Sequence, residues 1–467
     1  MDKVDPENCT KPSKFAAIRT KWDKYANSAT LHGLSHIVSS RTVLRRVLWC
    51  IFLFTGIGYV SYQWTLLVVK YLSYPVNSKV TVEFESALEF PAITICNFNM
   101  LRQSFVDQEN LGNVGKYVLS NKLPWWEEKT GEIDWKRFEN ISTSATYSMA
   151  GHQIKDMVME CYWIGEMCSF RNFTPVLTSM GLCHTFNSGQ DGSQILKVNK
   201  PGADSGLRVM LNIGHDDYFS LHARQAGLKV LIHHHETPPI VDQLGFAVGP
   251  GASTFAAIKK EKTLSLKWPY ESNCSETPIF SIPGYNKYTT STCTLICKSK
   301  YLVDKCGCRD PRLLAVGDAE ECGLKQTATC IFRENDNFYK ETDERCTCPV
   351  PCETISFNPV LSFATFPSEK YIAEATNKHV GNVSKEERLK FREFISSNVL
   401  ELNVYFQDLQ VKVLTQQPAY GTESLLGEAG GLLGLCIGAS LLTVMEVFDL
   451  IISIIAIKLG CIATDSA

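Results

Sequence analysis

Two apolar runs, one near each end of the chain, limit what it can fold into more than any other feature. Val47 to Val69 reads VLWCIFLFTGIGYVSYQWTLLVV, 23 positions without a charge. At about 1.5 Å per helical residue this covers the roughly 30 Å hydrocarbon core of a bilayer. It is too long for a signal-peptide core of about 7–15 residues, and 46 residues precede it. A second run, Leu432 to Ile457, contains Glu446 and Asp449. Each would cost about 2.5–3.5 kcal/mol facing lipid at mid-membrane, so both are expected to face water.

The flanks orient the spans. Arg41, Arg45 and Arg46 precede the first run, in a segment with nine Lys/Arg against four Asp/Glu, and Lys458 follows the second. Basic residues favour the cytoplasmic side, so both termini are expected there and the long middle segment outside the cell. The cysteines agree, since fourteen of the eighteen lie between the runs, an even number in the compartment where disulfides persist. Sequons at Asn140, Asn172, Asn273 and Asn382 fall in the same segment and are glycosylation candidates; that of Asn8 lies on the cytoplasmic side. The domain reading is therefore 1–43 cytoplasmic, 44–70 first span, 71–427 extracellular, 428–458 second span and 459–467 cytoplasmic, in a multi-pass plasma-membrane protein.

Cysteines 293–352 are spaced C-x3-C and C-x-C, without the paired C-x2-C knuckles of structural zinc sites, and no metal is expected. Counting does not give their pairing, because fourteen cysteines allow on the order of 10^5 connectivities. Cys293 and Cys297 share a helix face and Cys346 and Cys348 a strand face, so a two-rung ladder between them is sterically reasonable. Apolar alternation predicts strands at Val80, Val82, Phe84, at Leu207, Val209, Leu211, Ile213 and at Leu400, Leu402, Val404, Phe406. Helical signals fall in 105–170, 290–350 and 384–398, giving an α+β ectodomain between two membrane helices.

A net charge of -3 offers no basic field for a nucleic acid. His235-Glu236-Thr237-Pro238-Pro239 lacks the second histidine of a zinc-protease helix, and there is no G-x-S-x-G, P-loop or dinucleotide fingerprint. No enzyme is expected, and no cofactor. A non-conducting two-pass adhesion or receptor protein would account for the cysteines and sequons, but not for two acids and a Gly-Ala-Ser within the second run. Two helices enclose no aqueous path by themselves, so wetted carboxylates there require several copies of the chain. Gly430, Gly434 and Gly438 recur every four residues and would let helices approach closely.

Six stretches together carry a resemblance: T-L-H-G-L-S-H-I at 30–37, F-P-A-I-T-I-C-N at 90–97, C-H-T-F-N-S-G at 183–189, D-Q-L-G-F-A-V-G-P-G at 242–251, the cysteine block 293–352, and L-L-G-E-A-G-G-L-L-G-L-C-I-G-A-S at 425–440. The chain resembles the degenerin / epithelial sodium channel family, within it the acid-sensing and peptide-gated branch. The resemblance implies a homo- or heterotrimeric, sodium-preferring cation channel in the lipid bilayer, blocked by amiloride and opened by an extracellular stimulus, with Na+ as the permeant ion. It implies a hand-like ectodomain of palm, β-ball, finger, thumb and knuckle. It also implies the pairs Cys96–Cys183, Cys161–Cys168, Cys274–Cys352, Cys293–Cys348, Cys297–Cys346, Cys306–Cys330 and Cys308–Cys322, with Cys9, Cys50, Cys436 and Cys461 free.

By the same resemblance Gly438, Ala439 and Ser440 match the selectivity filter. Carbonyls of an unwound segment can replace part of an ion's hydration shell where they line a water-filled cavity. Glu446 and Asp449 lie on one helical face below it, and Glu428 stands at the outer mouth, where acid-sensing members have aspartate. Rings of such carboxylates concentrate cations. His32 and Gly33 match a cytoplasmic re-entrant motif. The nine residues after Lys458 are few for the family, implying a truncated C-terminus.

Gating candidates are Lys200, Asp216, Asp217, Glu236 and the thumb acids Asp336 and Glu341, with Glu334, Asp343 and Glu344 beside them. Carboxylates crowded in a partly buried pocket would sense protons. Several departures point away from acid sensing: Tyr74-Pro75-Val76 replaces a histidine pair, Glu236-Thr237 an acidic pair, and Lys412 a palm glutamate. Tyr74-Pro75-Val76 and Trp268-Pro269-Tyr270 look more like peptide-gated channels, and a bile-acid-sensitive channel is a third possibility. The triplet His233-His234-His235 is expected to be exposed and incidental.

Overall fold

A computed structural model describes residues 14–115, 133–139, 141–190, 192–219, 224–276, 284–341, 346–372, 374 and 385–459. The sequons at Asn140 and Asn382, and Cys9, Cys461, Asp343 and Glu344, lie outside them. Helices α1 (Lys14–Ser28), α2 (Leu34–Ser39) and α3 (Val43–Leu72) open the chain, and α8 (Thr422–Ile437) and α9 (Leu441–Leu459) close it. Between them lie α4 (Thr143–Ala150), α5 (Thr290–Cys306), α6 (Phe332–Glu341) and α7 (Lys385–Asn398). The chain divides into two compact units, Ser78–Gln416 and the two terminal segments together.

In the terminal unit α3 packs on α2 and α8, and α1 on α9. α3 is apolar nearly all round yet only Val60 on it is buried, with Ile51, Phe52, Phe54 and Tyr59 among the exposed side chains. Contiguous apolar surface of that extent is not left facing water. α3 is long and apolar enough to cross a membrane, whereas α8 and α9 meet that test only together, bent by 74° at the break between them. α8 begins at Thr422, six residues earlier than the second span read from sequence. A methyl on Gly56 would lie 3.3 Å from the Cys436 carbonyl oxygen, so glycine there permits the close packing of α3 on α8. Of the stripe expected to do this, Gly430 and Gly434 have nothing within 4 Å among the described residues of the single chain, and Gly438 meets His32.

The Ser78–Gln416 unit is built on two sheets. The larger runs in the order β13 (Glu353–Thr365), β12 (Ala252–Leu264), β14 (Val399–Pro418), β9 (Leu207–Asn212), β4 (Val158–Trp163), β5 (Glu166–Met167), with β1 (Val76–Phe84) also on β14. The second runs β11 (Phe246–Val248), β10 (Leu228–His233), β3 (Ala92–Asn97), β7 (Gly181–Phe186), β6 (Phe173–Thr178), and β2 (Leu88–Glu89) pairs β8 (Lys197–Val198). β12 and β14 are parallel, the other registered pairs antiparallel.

Alternation explains the core: Leu400, Leu402, Val404 and Phe406 turn inward with Leu207, Val209 and Leu211 against Phe90, Ile93, Ile95 and Phe186. Each such burial is worth about 1.5–3 kcal/mol. All six residues of β3 and of β7 are buried, as expected for strands covered on both faces. β1 differs, since Val80, Val82 and Phe84 are exposed at 53%, 49% and 77%, an apolar face with no cover in one chain.

Among the described residues seven disulfides staple the fold: Cys96–Cys183, Cys161–Cys168, Cys274–Cys352, Cys293–Cys348, Cys297–Cys346, Cys306–Cys330 and Cys308–Cys322. These coincide with the pairs the resemblance implies, and Cys50 and Cys436 are free. Cys96 and Cys183 face each other in register between β3 and β7, and close a separation of 87 residues. On the chain-entropy argument such a loop is worth about 4–5 kcal/mol. Replacing both by alanine is expected to lower the unfolding midpoint of the purified chain far more than replacing Cys161 and Cys168, whose separation is 7 residues. Thermal unfolding of the two double variants compares them directly.

Candidate functional site

The break between α8 and α9 is where the backbone departs from helix inside an apolar segment. α8 ends on Gly438 at φ 66°, with the Gly438 amide donating to the Gly434 carbonyl at 3.1 Å and the Ala439 amide to Leu433 at 3.2 Å. This is the left-handed helix end for which glycine is preferred. A side chain at Gly438 would be strained by that φ and would collide with the His32 imidazole. Ser440 then starts α9: its hydroxyl accepts from the Thr443 amide at 3.4 Å, and its amide donates to Thr443 Oγ1 at 3.0 Å. The Gly-Ala-Ser triplet is thus a helix stop, a link and a helix start.

His32 and Gly33 come to the same place. The His32 amide donates to the Ile437 carbonyl at 3.1 Å, satisfying an end group of α8. Gly33, at φ 92°, turns the chain into α2, where His36 stacks on Trp49 of α3 at 4.6 Å. Arg46 donates to the carbonyls of Ser40 at 3.0 Å and Ile37 at 3.2 Å. Thr30 bonds Thr443 hydroxyl to hydroxyl at 2.7 Å, and both its amide and hydroxyl donate to Glu446 at 3.2 Å. Glu446 is thereby half-buried and held, while Asp449 is exposed. Glu428 accepts from the Tyr420 hydroxyl at 2.9 Å and lies 3.6 Å from Lys70, whose ammonium sits 4.1 Å over the Tyr420 ring. Sequence reasoning missed Thr30, Thr443, Lys70 and Tyr420, because no local pattern marks contacts across some 350 to 416 positions.

The gating candidates are not gathered. Lys200, Asp216, Glu236 and Asp336 are exposed, and the Glu341 side chain lies outside the described residues. Asp217 accepts from the amide and hydroxyl of Ser104, both at 2.7 Å. No hydrogen bond or ion pair joins one of these to another among the described residues. Asn172 and Asn273 are exposed, and Lys412 pairs with Glu261 at 3.1 Å.

The histidine triplet corrects the expectation of exposure. His235 is buried and bonds the Phe90 carbonyl at 2.9 Å. His233, half-buried at the end of β10, bonds the carbonyls of His234 and Thr237 through Nδ1 and meets Thr94 Oγ1 at 2.8 Å through Nε2. The ring is a neutral imidazole donating at Nδ1. Loss of hydration takes His233 and His234 down to about 4, and lowers His235. Burial takes His152 to about 4 too, against Asp217, which pulls the other way.

The family model for the amiloride-sensitive sodium channel matches residues 25–450. The chain belongs to that family. Its relatives include acid-sensing ion channel 1 of Gallus gallus, 34% identical over 91% of this chain and 82% of its own, and acid-sensing ion channel 1A of Danio rerio, 34% identical over 93% and 88%. Acid-sensing ion channel 2 of Rattus norvegicus is 32% identical over 93% and 86%. As a member of a family of ion channels rather than enzymes, the chain places its break and its N-terminal loop in one cluster.

The lowered imidazoles of this family member have a stability consequence. Between about pH 6.5 and 4 the unfolded chain binds more protons at His152 and His233 than the folded chain, so stability rises with pH across that window and is lost as pH falls through it. Thermal unfolding of the purified chain is expected at a lower midpoint near pH 5 than near pH 7, and His233→Gln is expected to flatten that difference. An unchanged pH dependence in the variant would remove His233 from the account.

Proposed function

We propose that this chain is the subunit of a ligand-gated, sodium-selective, amiloride-sensitive cation channel of the plasma membrane, crossing it twice with both termini cytoplasmic. Copies assemble as a homo- or heterotrimer, and external protons open it. The observation that carries the reading is the Gly438-Ala439-Ser440 break in an apolar helix pair, braced by His32. Irregular backbone at membrane depth is tolerated only where it is buried in protein or lines water, and three copies around an axis supply both conditions. The open glycine face of α8 and the uncovered apolar face of β1 support assembly.

In this reading the carbonyls of 438–440 form the selectivity filter, and Asp449 and Glu446 draw cations toward it. Glu428 stands at the outer mouth with its charge shared by Lys70. Protons are favoured as the stimulus because the relatives are acid-sensing ion channels. A neuropeptide is the second reading, supported by the dispersal of the candidate acids and the neutral histidines.

Whole-cell recording from cells expressing the chain, with steps of external pH, then RF-amide peptides, then amiloride, tests the proposal. An acid-evoked, amiloride-blocked sodium current is the expected result. Current to peptide alone would transfer the stimulus, and silence to both with protein at the surface would favour a non-conducting receptor. Gly438→Val is expected to abolish or alter the current while leaving surface protein, and Lys70→Met to raise conductance by freeing Glu428. A Gly438→Val channel of unchanged selectivity and conductance would remove the break from the ion path.

A further inference from the structure

The Ser78–Gln416 unit holds a concentration of positive charge that the channel reading does not use. A cavity of about 600 Å³ opens where α5, α6 and the segment 307–313 face the second sheet. Its charged walls are Arg224, Lys229, Lys298 and Arg312 against Asp242 and Asp310, four positive to two negative. Arg312 and Asp310 are both 5% exposed and joined at 3.0 Å through Nε and 2.8 Å through Nη2. Burial by itself would raise the Asp310 carboxyl, but Arg312 and then Lys298 outweigh it and hold it low. Asp310 is thus spent on Arg312. Arg312 Nη1 has no hydrogen-bond partner among the described residues, and the guanidinium carbon lies 5.1 Å from the Tyr147 ring and 5.4 Å from Phe332.

Lys298 is the second buried cation, 9% exposed. Its ammonium donates to the Tyr339 hydroxyl at 3.2 Å and lies 4.8 Å over that ring. Lys298 lines the cavity with a hydroxyl rather than a carboxylate as its hydrogen-bond partner, so its ammonium is available to an anion there. Lys229 donates to the Asp242 backbone carbonyl, and Arg224 is exposed at the rim with no ion pair among the described residues. An adjoining cavity of about 260 Å³ shares Arg312, Leu313, Ser179 and Asp242 with the first. Its other walls are mostly apolar, with Val176, Leu177, Pro239, Leu295 and Leu314 beside Thr178 and Tyr285. Cationic donors beside an apolar recess are the two halves of a site for an amphipathic anion.

We propose that the two adjoining cavities bind an organic anion, its carboxylate against Lys298, Arg224 and the Arg312 guanidinium and its apolar body between Leu177, Leu295 and Leu314. The inference concerns binding and holds whether or not the chain conducts. Calorimetric titration of the full chain in lipid nanodiscs with phenylbutyrate, phenylbutylamine and phenylbutanol tests it. Saturable phenylbutyrate binding is expected, weakened about ten-fold or more by Lys298→Gln and by Arg224→Gln. The amine and the alcohol are expected to bind at least about ten-fold more weakly than the acid. Arg224 is exposed, so its replacement keeps the test independent of folding. Absence of saturable binding, equal binding of the amine, or unchanged affinity in both variants would overturn the site. Acetate binding as tightly as phenylbutyrate would overturn its apolar half.

Discussion

Backbone that leaves helical geometry inside an apolar segment must find partners for its own amides and carbonyls, and the terminal unit is arranged around how residues 438–440 do so. Water is the usual partner at a helix end, and hydrocarbon offers none. Here the Gly438 and Ala439 amides turn back onto α8, Ser440 and Thr443 serve each other, and the His32 amide takes the Ile437 carbonyl. The 74° bend then aims α9 so that Thr443 and Glu446 meet Thr30. A substitution at His32 therefore acts on the break through a backbone neighbour as well as through the imidazole. The geometry of this site rests on packing and backbone hydrogen bonds as well as on charge.

The Ser78–Gln416 unit obeys a different constraint. Its two sheets share a conventional apolar core, in which β3 and β7 are covered on both faces. The segment 274–352 has no such depth of its own. Its helices α5 and α6 pack on a smaller cluster around Leu302, Leu324 and Phe332, and five of the seven disulfides fall there. Small cores are commonly held by covalent staples. The same segment tolerates the buried Asp310–Arg312 pair because both carboxylate oxygens are hydrogen-bonded and two rings flank the guanidinium, which offsets part of the desolvation cost.

What was legible from sequence is what local physics writes into local pattern. Period-two alternation at Leu207–Ile213 and Leu400–Phe406 named β9 and β14 and their inward faces. The uncharged run at Val47–Val69 named α3, and the charge-rich stretch at 384–398 named α7. Alternation at Val80–Phe84 also named a strand, yet not its burial, because pattern reports that a face is apolar and not what covers it. The histidine triplet misled for the same reason. Three polar residues before two prolines read as a loop, but His233 completes β10 opposite Ala92, and Thr94, the partner of His233, and Phe90, the partner of His235, come from a strand and turn about 140 residues away. The acidic gating candidates were chosen by residue type and Lys200 by its match to a family lysine, and among the described residues no hydrogen bond or ion pair joins one to another. Conversely, Thr30, Tyr420 and Lys298 carry no signal beyond their identity, and become important only when distant elements close around them.

Burial of the histidines bears on how such a channel would respond to acid. A proton opens a channel only by binding one of two packings more tightly, and the bias it supplies is limited by that difference. His233 is wired as a neutral donor to two carbonyls, and loss of hydration holds it and His234 near 4. Such imidazoles stay uncharged through mild acidity and so cannot report it. Below that range their protonation favours any packing in which they are wetted, and the strand end at β10 is where that rearrangement would start. Mild acid would therefore be read by groups other than these two, and strong acid by the core itself.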